Sequence, residues 1–161
     1  MTTGPQGELA DDGRTLVVRR RYPDAIDEVW SALTTSERLA RWYGTYTGEG
    51  RPGGTVELTI TGEVDAGGEV AAPVGVRIVE CEAPRRLVVD IPENEHRSWR
   101  IALTLTEDAA GTALVLEQCL SDGLDAGDLS AGWSWYLDRL AAALRGQPMP
   151  VWEDYLPTDG G

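Results

Sequence analysis

Few residues of this 161-residue chain are of a type that performs chemistry unaided. There is one histidine, His96, and two cysteines, Cys81 and Cys119. One histidine and two distant cysteines cannot assemble the usual Cys/His metal site, so neither a metal nor a cofactor is expected. Carboxylate-only sites stay open. No nucleophile elbow, phosphate-binding loop or HExxH sequence is present. His96 lies in the polar stretch "PENEHRSW". As an acid or base it would have to face a pocket mouth; a solvated loop histidine is the simpler reading. An enzyme would need a titratable pair inside, and only Arg20, His96, Glu57, Glu117 and the tyrosines are on offer. The catalytic residues, if any, are unassigned.

The better signal is for binding. In "SWRIALTLT", Trp99, Ile101, Leu103 and Leu105 alternate with other residues, so a strand would point them one way. In "TALVLEQCL", Leu114, Leu116, Gln118 and Leu120 share a face, which sets Gln118 in an apolar row. Aromatic side chains with a few placed polar groups are what a small-molecule pocket presents. Trp42, Tyr46, Trp99, Gln118, Trp133 and Tyr136 are the candidate ligand-binding residues. Plain core packing is the competing reading for each, and the expected one for Trp30. Arg20 is a further candidate, because it follows Leu16 and Val18 on one face of "TLVVRRRY". Either it reaches inward to an anionic ligand or a carboxylate, such as Glu57 or Glu117, or the strand ends and it is solvated. A buried unpaired charge costs several kcal/mol, so solvation is preferred. Asp90 alternates away from Leu87, Val89 and Ile91 and reads as an outward surface charge.

These side chains need elements to hold them. "TLVVRRRY" (15–22) is rich in β-branched residues and predicts a strand. Ile26, Val29, Trp30 and Leu33 follow at helical spacing, with Asp24 as a candidate N-cap. "TTSERLARWY" restarts the pattern. Thr35 or Ser36 is placed to cap it, Leu39 and Trp42 share a face, and Gly44 is placed to end it. About six strands punctuated by glycine and proline come next, with "GEVDAGGEV" read as a hairpin turn. In "GDLSAGWSWYLDRLAAALRG" the period changes. Leu129, Trp133, Tyr136, Leu137, Leu140 and Leu144 form one stripe, with Asp128 as N-cap and Gly146 past the end. Trp135 lies nearly opposite Trp133, off that stripe, and reads as exposed. A proline-rich tail carrying Trp152 and Tyr155 would cover it, or a second subunit would, or nothing would.

The order is strand, two short helices, about six strands and one long helix. This predicts an α+β fold in which an antiparallel sheet of six to seven strands grips a long C-terminal helix, with the two small helices plugging one end. The pieces "DAIDEVWSALTTSERLARWYG", "PRRL", "WRIALTLTEDAAGTALVL" and "GWSWYLDRL" resemble the START-like (SRPBCC) superfamily, in the branch named after the activator of heat-shock protein 90 ATPase. Ile26 stands where that pattern usually has proline. The resemblance implies a helix-grip fold with an internal pocket. Such folds serve lipid and polyketide binders, aromatase/cyclases and chaperone co-factors, and fold alone does not choose among them.

The boundaries expected are a flexible lead-in over 1–13, the domain over 14–146 and a proline-containing tail over 147–161. The net charge of −13 argues against nucleic acid and anionic membranes as partners. No apolar run approaches the ~20 residues that span a bilayer, and the start shows no secretory pattern, so a cytoplasmic location is expected. The expected partner is a small hydrophobic or aromatic molecule. A cyclase- or dehydratase-type enzyme using the same cavity is the alternative, and a homodimer or chaperone contact stays open.

Overall fold

The computed structural model describes residues 8–10, 13–48, 51–61, 72–92, 98–120 and 126–155. His96 and the "GEVDAGGEV" segment lie outside them. The described elements run β1 (Glu8–Leu9), β2 (Thr15–Tyr22), α1 (Ile26–Thr34), α2 (Ser36–Leu39), β3 (Gly44–Thr47), β4 (Thr55–Ile60), β5 (Val74–Glu82), β6 (Arg86–Pro92), β7 (Ser98–Asp108), β8 (Gly111–Cys119) and α3 (Ala126–Arg145), then a 3-10 turn, Trp152–Tyr155. The strands form one antiparallel sheet in the order β1-β2-β8-β7-β6-β5-β4-β3. Seven strands carry the sheet; β1 is a two-residue edge piece whose Leu9 stands opposite Leu16. The fold is the α+β helix grip that the sequence predicts.

Each strand turns one apolar row toward α3, because side chains alternate across a strand. Leu16, Val18 and Tyr22 of β2, with Leu114 and Leu116 of β8, are all buried. Tyr22 donates its phenol hydrogen to the Leu137 carbonyl of α3 at 3.0 Å, and burial holds its pKa far above the ordinary tyrosine value. One register shift, between Ile78 and Glu80, keeps the alternation useful in β5. The extra residue, Val79, lets Cys81 share the inner face with Ile78.

Local ends differ from the sequence expectation. Ala25, not Asp24, is the N-cap of α1, and it has no side-chain cap bond. The carboxylate comes instead from β7: Glu107 accepts from the Ile26 amide at 3.0 Å, placing an anion at the helix N-terminus. Asp24 uses its backbone carbonyl to accept from Thr112. Thr35, one of the two candidates, is the N-cap of α2, without a side-chain cap bond: its hydroxyl pairs with that of Ser31 at 3.2 Å, and Ser36 turns its hydroxyl to β3. That hydroxyl donates to the Tyr46 carbonyl and accepts from the Tyr46 amide. Gly44 opens β3 rather than closing a helix, and a Cβ there would stand 2.3 Å from the Thr59 carbonyl oxygen. Helix α3 begins at Ala126, so Asp128 lies inside it. Gly146, at φ 65°, does end the helix, and the Gln147 amide returns to the Ala142 carbonyl.

For Trp135 the tail alternative holds, and for Arg20 the preferred reading is overturned. Trp135 is buried, at 1% exposure. Its indole N–H donates to the Pro150 carbonyl at 3.0 Å, the Trp152 ring packs edge-on at 5.2 Å, and the Arg139 guanidinium lies 4.8 Å over its face. The single-stripe reading assumed one covering partner. The returning tail supplies a second, so the helix is buried on more than one side. Arg20 is buried too, and not solvated. Its Nε donates to Asp138 of α3 at 2.9 Å, so its carboxylate partner is neither Glu57 nor Glu117. Asp138 also accepts from the Tyr155 hydroxyl at 2.7 Å, which joins β2, α3 and the tail through one carboxylate.

Asp138→Ala leaves the buried Arg20 charge without this partner and should cost about 3–5 kcal/mol in urea unfolding. The double replacement Arg20→Met/Asp138→Leu should cost clearly less than the single one. Trp152→Ala should lower stability by about 2 kcal/mol, below the 3–5 of a fully buried aromatic. It should also shift tryptophan emission to the red as Trp135 meets water.

Candidate functional site

The sheet and α3 do not meet flush. Between them lies an apolar cavity of about 150 Å³. A void of about that size lined by aliphatic side chains accommodates one benzene ring. Strand residues Val89, Ile101, Leu103 and Leu116 form its floor, and Leu137 and Trp133 of α3 form its roof. The α1–α2–β3 segment closes one side with Leu33, Leu39, Trp42, Tyr43 and Tyr46.

The plug is held by hydrogen bonds that spend its polar groups on itself. The Trp42 indole N–H donates to the Ala32 carbonyl at 2.9 Å. The Arg139 Nε donates to the Trp42 carbonyl at 2.9 Å, pinning the segment to α3. The Tyr46 hydroxyl donates to the Thr34 carbonyl. Aromatic contacts continue the connection, with Tyr43 stacked on Trp133 at 6.0 Å and edge-on to Tyr136 at 4.7 Å.

No charged side chain lines the cavity among the described residues. Its ionisable groups include Tyr46 and Cys81, and burial pushes both pKa values up. Cys81 adds a smaller upward push on Tyr46. Both are therefore protonated near neutral pH, and neither supplies a base or a thiolate there.

The candidate residues divide. Trp42, Tyr46 and Trp133 stand on the cavity wall. Tyr136 packs behind it, against Tyr43 and Trp135. Trp99 and Gln118 flank it. Trp99 faces the wall residue Ile91 across β6–β7, and Gln118 faces Ile101 across β7–β8. Gln118 accepts from the Trp133 indole N–H at 2.8 Å through its Oε1. Its Nε2, like the Trp99 indole nitrogen, is buried without a protein acceptor. Leaving a buried donor unmet costs about 1–3 kcal/mol. Arg20 is off the wall and engaged by Asp138. Trp30 packs against the core, and Asp90 pairs with Arg100 at 2.8 Å. That pairing holds the Asp90 carboxyl below the usual carboxylate range.

Sequence reasoning passed over Tyr43 and Cys81. Tyr43 follows Trp42 directly, and the available signal was only a second aromatic at the end of a short helix. Cys81 reaches the inner face through the β5 register shift, which no spacing rule reveals.

Comparison with known proteins fits this geometry. The chain is similar to CalU16 from Micromonospora echinospora, at 28% identity and TM-score 0.70, over 93% of this chain and 87% of that one. It is similar to the protein of gene BPP1335 from Bordetella parapertussis, at 26% identity and TM-score 0.73, over 96% and 94%. DynU16, a protein of the dynemicin biosynthetic locus, shares the fold at 24% identity and TM-score 0.71, and the match spans 49% of its length. No curated protein is similar enough to add to these. Among the described residues, no helix is long and apolar enough to cross a membrane. The profile of the Activator of Hsp90 ATPase homolog 1-like proteins matches residues 25–145, and the chain belongs to that family.

Proposed function

We propose that this chain encloses a small, neutral, hydrophobic or aromatic molecule between its sheet and α3. The observation that carries this reading is the apolar cavity of about 150 Å³ with no charged side chain on its described wall. Burying apolar surface yields roughly 25 cal/mol per Å², and such a wall offers little else to a guest. Trp42, Tyr46 and Trp133 supply aromatic contact.

Among the described wall residues, burial holds Tyr46 and Cys81 protonated, so these two groups do not support the cyclase or dehydratase alternative. The chaperone-contact reading drew on an exposed Trp135, and the tail covers that residue.

Cys81 makes the cavity testable. Cys119 is exposed and would react first, so Cys119→Ser gives a background with one thiol. In that background, N-ethylmaleimide should label Cys81 slowly, and its rate should keep rising with pH beyond the ordinary thiol pKa. Benzene should slow the labelling by a factor of 1 + [L]/Kd. A labelling rate indifferent to benzene up to its solubility limit would sink the proposal.

A further inference from the structure

The polar atoms at one edge of the cavity narrow the class of molecule, and this deepening rests on the pocket reading above. The cross-strand row Ile78–Val89–Ile101–Gln118–Leu16 is apolar except at Gln118. Its first three members line the cavity. Gln118 is fully buried and interrupts the row beneath Trp133.

The orientation of this amide follows from its partner. An indole nitrogen can only donate, so the atom of Gln118 facing Trp133 at 2.8 Å must be the carbonyl oxygen. The amide nitrogen is the other branch, buried and carrying two hydrogens with no protein acceptor. Trp99 lies two residues before Ile101, the direct partner of Gln118, so it is the diagonal neighbour on the same face, roughly 7–8 Å away between backbones. Its indole nitrogen is likewise buried and without a protein acceptor. Two buried donors without a protein acceptor thus stand beside an otherwise apolar wall.

We infer that the molecule held here carries a neutral hydrogen-bond acceptor, a ketone, quinone or ester carbonyl, at the end that meets Gln118 and Trp99. The chemistry selects the acceptor. Both donors are neutral, and the described wall holds no cation to balance a carboxylate or phosphate. A carbonyl oxygen has two lone pairs for two donors and brings no hydrogen of its own that needs an acceptor. Asp138 neutralises Arg20, the buried cation of β2, away from this edge.

The test uses two probes of nearly one shape, 1-indanone and indane, which differ by a carbonyl in place of a methylene. Gln6, Gln118, Gln147 and Asn94 are the only side-chain amides of the chain, so the Gln118 NH₂ pair is assignable in a ¹⁵N–¹H spectrum. In the unmodified protein both probes should move the Trp133 indole signal. Only 1-indanone should displace the Gln118 NH₂ pair, and it should bind about tenfold tighter than indane. Gln118→Met should bring the two affinities together while leaving indane binding within about twofold. Trp99→Phe, which keeps the Gln118–Trp133 bond, should shrink the preference and guards against a Met variant that does not fold. Displacement of the Trp133 signal by 1-indanone with the Gln118 NH₂ pair unmoved overturns the inference, as does a preference unchanged in both variants. Failure of either probe to move Trp133 overturns the pocket reading itself, and the inference with it.

Discussion

A seven-strand antiparallel sheet with one apolar face needs a cover, and the 20-residue helix α3 is the described element long enough to provide it. That constraint organises the rest. Strand β2 is fastened to the helix by the Tyr22–Leu137 bond and the Arg20–Asp138 pair. Farther along the sheet, side chains of β4 to β7 line the cavity. The gap is narrowed by the α1–α2–β3 plug, held down by Arg139 and Trp42. The cavity is what remains.

Charge and cavity are kept apart. The interior cations of β2 and α3 are each assigned a partner: Arg20 meets Asp138, and Arg139 meets the Trp42 carbonyl and the face of Trp135. These groups fasten the helix, the tail and the plug without facing the guest space. The wall keeps apolar surface, protonated Tyr46 and Cys81, and the two indole and amide donors at its edge. On the proposed reading, such a site discriminates by shape and by the two donors beside it, because an unmet buried donor penalises a guest that lacks an acceptor.

Much of this was legible in the sequence, for a physical reason in each case. Alternation of Trp99, Ile101, Leu103 and Leu105, and of Leu114, Leu116 and Gln118, reported the inner face because the strand period is fixed at two. The change to helical spacing near Trp133 reported α3, and Gly146 reported its end. Other features depend on contacts that local pattern cannot carry. Trp135 looked exposed because a helical stripe describes one partner, and the tail is a second. Arg20 looked solvated because its partner, Asp138, is distant in sequence and meets it only when α3 lies across β2. The cap of α1 comes from Glu107 on β7 for the same reason. The cavity depends on how the sheet, α3 and the plug come together, which residue types alone do not fix.

The central claim is that an accessible apolar space exists between the sheet and α3. Xenon-pressurised crystals test it directly, since xenon enters dry apolar cavities of this size. The account predicts a xenon peak among Ile101, Leu103, Leu116 and Trp133, displaced when Leu103 is enlarged to Trp. Crystals that diffract well, take up xenon elsewhere or nowhere, and show those four side chains in mutual contact would contradict it.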